Sequence, residues 1–164
     1  MCREKLAKQP KAKSPEQALA SLMKQCARSE RSSGDAMRLM SRWCVELSAR
    51  KKILAQLIDE KFIDDERYSA AYIREKTRLS GWGARKIASS LRTKGVASPI
   101  IEEQLSQLDK ESLAVRLEDK LRRKVSTIKG ENDYERRGKL FRYALSLGYD
   151  YDMAQNAISN IIKD

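Results

Sequence analysis

The sequence predicts an all-α protein, built as three tandem three-helix repeats that form an elongated, curved molecule. Three observations predict it. With only 7 Gly and 3 Pro in 164 residues, 35% charged and 6% aromatic, the chain has little material for turns between many strands. Apolar residues recur at helical spacing behind capping signals along most of its length. The ends of the middle helices also recur: Cys44, Gly95 and Gly148 stand 51 and 53 residues apart and are followed by Val45, Val96 and Tyr149. The expected organisation is a basic flexible arm over 1–13 and repeats over 14–63, 64–109 and 110–164.

The arm carries Arg3, Lys5, Lys8, Lys11 and Lys13 around Pro10, with little to bury. Ser14, Pro15 and Gln17 then supply an N-cap, a first-position proline and a capping-box partner, and Leu19, Leu22, Met23 and Cys26 form an inward stripe. Ser32 or Ser33 caps a second helix with Ala36, Met37, Met40 and Trp43 inward. A third runs from about Leu47 to Lys61 on Ile53, Leu54, Leu57 and Ile58.

The second repeat opens with Ile63, Asp64 and Tyr68 as staple, N-cap and staple partner, while Asp65 and Glu66 sit favourably against the helix dipole. Tyr68, Ala71, Tyr72 and Leu79 mark its core side. Gly81 and Gly83 break the run. Ile87, Ala88 and Leu91 line the next helix, which Gly95 ends, with Arg85 and Arg92 on its outer face. Ser98 and Pro99 start a helix carrying Ile101, Leu105 and Leu108 inward. In the third repeat, Leu113, Leu117 and Leu121 precede a loop at Lys129 and Gly130. Leu140, Phe141, Ala144 and Leu145 line its middle helix, and Ala154, Ile158 and Ile161 its last.

A formal charge of +11, from 34 Lys and Arg against 23 Asp and Glu, favours polyanionic partners such as nucleic acid or an acidic protein surface. In the second repeat Arg74, Lys76, Arg78, Arg85, Lys86, Arg92 and Lys94 have only Glu75 among them, an excess suited to phosphate oxygens rather than to base reading. Arg122, Arg123 and Lys124, and then Arg136, Arg137 and Lys139, are further candidates, although Glu131, Asp133 and Glu135 intervene. The bland alternative is a solvated basic face.

Three cysteines without paired spacing argue against a zinc site or a disulfide framework, and Cys26 and Cys44 read as small core residues. With no histidine, no phosphate-binding glycine loop and no hydrolase or metalloprotease motif, neither catalysis nor a cofactor is expected. Asp59, Glu60, Asp64, Asp65 and Glu66 could hold a divalent metal, but capping accounts for the last three without one. Trp43 and Trp82 could stack on bases, though packing between helices is favoured. Tyr134 and Tyr151 receive no assignment. A charged N-terminus and no run of membrane-spanning length lead to the expectation of a cytoplasmic protein.

The stretch FIDDERYSAAYIREK at 62–76, followed by GWGARKIASSLRTKG at 81–95, closely resembles the signature of the RecX regulatory proteins of bacteria. CARSERS at 26–32, Arg42 with Trp43, KKILAQLIDEKFID at 51–64 and NDYERRGKLFRYALSLGYD at 132–150 resemble the same family. The resemblance implies tandem three-helix repeats and a non-enzymatic regulator of recombination, expected to be monomeric. Such a protein would bind the RecA recombinase filament on single-stranded DNA and suppress its extension, ATP hydrolysis and strand exchange. The competing expectation is a basic helical module, helix-turn-helix-like, acting directly on duplex DNA; the middle helix offers Arg85, Ser89 and Arg92, which suit phosphates better than base edges.

Overall fold

The computed structural model describes residues 11–130 and 132–162, and every regular element among them is helical. Most of the expected arm lies outside the described residues. Its last residue, Lys13, is anchored: its N–H donates to Trp43 O at 3.0 Å, its ammonium to Ser21 Oγ at 2.6 Å, and its Nζ lies 4.0 Å from the Trp43 ring centroid. The chain divides into two compact units, Met1–Tyr68 and Ser69–Asp164.

Unit one holds α1 (Pro15–Cys26), α2 (Ser33–Arg42) and α3 (Leu47–Asp59). Ser14 and Gln17 complete the capping box, and Ser32, not Ser33, caps α2. Ser33 is committed to a longer-range contact: its N–H donates to Asp65 Oδ1 at 2.8 Å and its hydroxyl to Asp65 Oδ2. Ala18, Leu22, Ala36, Met40, Trp43, Val45, Ile53, Leu57 and Ile63 form the core. Ile58 is 45% exposed, contrary to its expected inward role, because Ile53 and Leu57 set the buried face and Ile58 lies one residue further round the cylinder.

Helix α4 (Asp65–Glu75) crosses the boundary into unit two, with Asp64 Oδ1 accepting from the Arg67 N–H at 3.0 Å as its N-cap. Ile63 and Tyr68, the staple positions, are both buried. A π-helical turn follows at Lys76–Ser80. Leu79, expected in the core, is 81% exposed. The buried line runs instead through Ser69, Ile73 and Thr77, two of which hydrophobic periodicity does not count. Thr77 is tolerated there because its hydroxyl donates to Ile73 O at 2.8 Å, and the wide turn then swings Leu79 outward.

The remaining helices are α5 (Ala84–Thr93), α6 (Ser98–Ser106), α7 (Lys110–Val125), α8 (Asp133–Ser146) and α9 (Tyr151–Ile161). Leu113, Leu117, Leu121, Leu140, Ala144, Leu147, Tyr149, Ala154 and Ile158 belong to one core. Leu145, expected to join it, is 40% exposed, and Leu147 takes the inward position one turn-fraction later.

The three recurring helix ends share one geometry. Cys44, Gly95 and Gly148 all have left-handed backbone, with φ of 58°, 78° and 90°. The next residue in each case donates six-to-one to the helix: Val45 to Met40 O at 3.0 Å, Val96 to Leu91 O at 3.1 Å, Tyr149 to Ala144 O at 3.3 Å. These are Schellman ends, and the left-handed residue is where glycine costs least. Cys44 is therefore exposed at a strained position rather than buried as expected. Cys44→Gly should raise the stability of unit one by about 0.5–1 kcal/mol, seen as a higher thermal midpoint.

In unit two, α5 begins where α8 ends. The Gly83 N–H donates to Leu147 O at 2.8 Å and the Arg85 N–H to Gly148 O at 3.0 Å, so orphan donors of one helix meet the carbonyls closing the other. A β-carbon on Gly83 would lie 2.5 Å from Gly148 O, and one on Gly148 2.3 Å from Lys86 Cβ. The two backbones can approach this closely only through glycine.

Candidate nucleic-acid interface

That head-to-tail junction fixes Trp82. The indole packs against the core of α7–α9 but is only half-buried, so the expectation of a core tryptophan holds for one side of the ring. Two lysines approach the ring, Lys86 Nζ at 4.7 Å and Lys76 Nζ at 5.5 Å from its centroid. Lys76 also lies 5.1 Å from the Tyr72 ring, and Lys94 Nζ 5.6 Å from that same ring. Tyr72 is held by a 2.6 Å hydroxyl contact to Ser90 of α5. The result is a row of alternating lysines and aromatics, Lys94, Tyr72, Lys76, Trp82, Lys86, with each ammonium within cation–π reach.

The lysines are positioned by neighbours. Lys86 donates to Ser146 O at 3.1 Å. Lys76 pairs with Glu75 at 2.7 Å, and that hydrogen bond raises its pKa, keeping it charged. Trp82→Ala should cost unit two about 1–3 kcal/mol, less than a fully buried tryptophan, and should also release Lys76 and Lys86 from their ring contacts. Thermal unfolding checks the first effect and lysine side-chain NMR the second.

Helix α7 adds Lys120 to this side. The Lys120 stem crosses Gly81 so closely that a β-carbon there would fall 1.8 Å from Lys120 Cε. Lys124 Nζ lies 5.4 Å from the Tyr143 ring. Tyr149 closes the loop from beneath by donating its hydroxyl to Gly81 O at 3.3 Å; burial pushes its pKa up, so it stays a donor. Lys120 was not legible as a candidate, although its spacing of four from Lys124 puts both on one helical face.

The other expected cations are not gathered there. Arg85 and Arg92 occupy an exposed side of α5 away from Lys86 and Lys94, and Arg85 lines a separate hollow with Leu105, Leu108, Lys110 and Met153. Arg74, Arg78 and Arg123 are exposed, and like Arg85 and Arg92 their side chains have no ion-pair partner among the described residues. Arg122 pairs with Glu118, and Arg136 with Asp133 at 3.2 Å. Arg137 donates to Ile162 O at the end of α9, and Lys139 to Lys129 O at 2.6 Å. The cations at the start of α8 are thus engaged within unit two, with the first turn of α8, the end of α9 and the loop before α8.

Among the described residues no group of His, Cys, Asp and Glu could hold a metal ion, and no helix is long and apolar enough to cross a membrane. The acidic run has identified uses: Asp64 caps α4 and Asp65 receives Ser33.

The family model described as RecX, second three-helix domain, matches residues 64–105, the stretch that contains the lysine–aromatic row. A protein of Clostridium botulinum strain Eklund 17B named regulatory protein RecX is 32% identical over 113 residues, which cover 68% of this chain and 52% of that protein. A regulatory protein RecX of Mycolicibacterium smegmatis is 33% identical over 118 residues, 70% of this chain and 62% of that one. The chain spans about half the length of the clostridial relatives it matches. The crystal structure of RecX from Lactobacillus salivarius superposes with a TM-score of 0.77 at 19% identity, over 90% of this chain and 96% of that one, a likeness of fold. A second crystal structure, of regulatory protein RecX, does so with a TM-score of 0.79 at 22% identity, over 92% and 73%. With its signature residues lodged in the junction of α5 and α8, and with relatives of one name on every comparison, the chain belongs to the RecX family.

Proposed function

We propose that this chain is a non-enzymatic regulator of homologous recombination and DNA repair. In this reading it acts in the cytoplasm, as a monomer of three related repeats, on the RecA filament assembled on single-stranded DNA. It inhibits filament extension, ATP hydrolysis and strand exchange. The observation that carries the reading is the gathering of Lys76, Lys86 and Lys94 around Tyr72 and Trp82, with Lys120 of α7 against Gly81 beside them. Ammonium groups held over ring faces suit phosphate oxygens and leave those faces poorly available for base stacking, so the contact would be independent of sequence.

Two kinds of cation divide the work. The lysine row meets the DNA backbone as a set of point charges. Arg85 and Arg92, exposed on another side of α5, are suited to carboxylates of the recombinase, because a guanidinium forks onto a carboxylate with two parallel donors.

The deciding experiment adds the protein to RecA, single-stranded DNA and ATP. A concentration-dependent fall in ATP turnover is expected. Unchanged turnover, with tight binding to duplex DNA alone, would replace this reading with that of a direct duplex-binding module.

A further inference from the structure

Helix α8 has a second apolar line, of which Phe141 alone packs partly on the core of α7–α9. Tyr134, Gly138, Phe141 and Leu145 follow one another at spacings of four, three and four, the period of a helix that packs on another helix. Their exposure is not that of a finished surface: Tyr134 is 86% exposed and Leu145 40%, and Tyr151, from the first turn of α9, is 59% exposed. Phe141 and Tyr151 meet edge to face at 4.8 Å and form the floor of a groove of about 720 Å³, which Tyr134, Gly138, Arg142 and Gln155 also line.

Gly138 is unlike the glycines at the α5–α8 junction. Among the described residues nothing lies within 4 Å of where its β-carbon would be, so no contact among them accounts for it. Glycine in a helix interior weakens the helix. Placed in the middle of an exposed apolar line, its gain is that a second backbone can come close.

The charge around the groove identifies what comes. Arg142 is exposed with no ion-pair partner among the described residues, and Lys139 lines the same groove with its ammonium on the neutral Lys129 O, so its charge is not offset by that contact. A second copy of this chain would bring the same excess of cations, within a net charge of +11, against itself. A nucleic-acid strand would leave the four-three-four apolar line without a counterpart. We propose that the α8–α9 groove is a docking site for an acidic amphipathic helix of a partner protein, whose apolar side chains seat against Tyr134, Phe141 and Tyr151 and whose backbone passes over Gly138. Its carboxylates face Arg142 and Lys139. The groove shares no residue with the lysine row, so this site stands or falls separately from the DNA contact.

The test uses a fluorescein-labelled peptide of about 18 residues, long enough for five turns, with leucines at the matching spacing and glutamates on the opposite face. A scrambled peptide of the same composition and an oligo-dT of similar length serve as the other probes. The protein variant is Gly138→Leu, which fills the close-approach position while improving helix propensity, so its thermal midpoint should hold or rise. The expected result is binding of the amphipathic peptide, weakened about tenfold or more both by scrambling and by Gly138→Leu. Absence of binding, or equal binding of the two peptides or by the two proteins, would overturn the proposal. So would oligo-dT binding lost in Gly138→Leu, which would make the groove a nucleic-acid site, or self-association in sedimentation abolished by the same variant, which would make it a contact between copies.

Discussion

Gly83→Val should unfold or severely destabilise unit two, with a loss of about 3–5 kcal/mol. The β-carbon alone would stand 2.5 Å from Gly148 O and 2.6 Å from both Gly148 C and Tyr149 N. All three atoms are backbone, held by the Schellman end of α8, so none can swing aside as a side-chain tip would. Relief requires α5 to withdraw, which breaks the bonds from Gly83 to Leu147 O and from Arg85 to Gly148 O. Overpacking costs about 1–3 kcal/mol and each lost backbone bond about 0.5–1.5 kcal/mol, together a large share of an ordinary domain's 5–15 kcal/mol. Thermal unfolding reads the effect, and Trp82→Ala beside it provides the scale: the glycine substitution should be the worse of the two. A midpoint equal to that of the unaltered protein would mean that α5 does not depend on this junction.

The same junction shows what the sequence could carry and what it could not. Capping signals are local, so Ser14 with Gln17 and Asp64 were legible as helix starts, and each side-chain cap accepts the expected backbone donor. The recurrence of Cys44, Gly95 and Gly148 was legible as well, because a left-handed residue followed by a buried one leaves a trace in composition. What Gly83 and Gly148 do for each other was not. They lie 65 residues apart in the chain, and nothing local distinguishes a glycine that ends a helix from one that admits another backbone. Leu79 misled for a related reason: the π turn displaced the register, and Ser69 and Thr77 occupy inward positions that an apolar count passes over. Arg85 and Arg92 were legible as one outer face of α5, but the gathering of Lys76, Lys86 and Lys94 elsewhere was not, because it depends on where the half-buried rings of Tyr72 and Trp82 sit once the helices pack.

That division yields the other large effect. The triple variant Lys76→Glu, Lys86→Glu, Lys94→Glu should lose binding to single-stranded DNA, and the dependence of log affinity on log salt should flatten by about two units if each lysine meets one phosphate. The double variant Arg85→Glu, Arg92→Glu should keep its DNA affinity to within a small electrostatic loss and yet fail to slow ATP hydrolysis by RecA. Neither set should greatly alter helix content, since Arg85 and Arg92 are exposed and the lysine stems lie over rings rather than in a core. Circular dichroism checks that condition before the binding is read. If the arginine variant loses DNA affinity as steeply as the lysine variant, all five cations serve one phosphate-binding surface and the division of labour fails. If the lysine variant binds DNA as well as the unaltered protein, the row around Trp82 is a structural brace for the α5–α8 junction, and the lysines are held over their rings for stability alone.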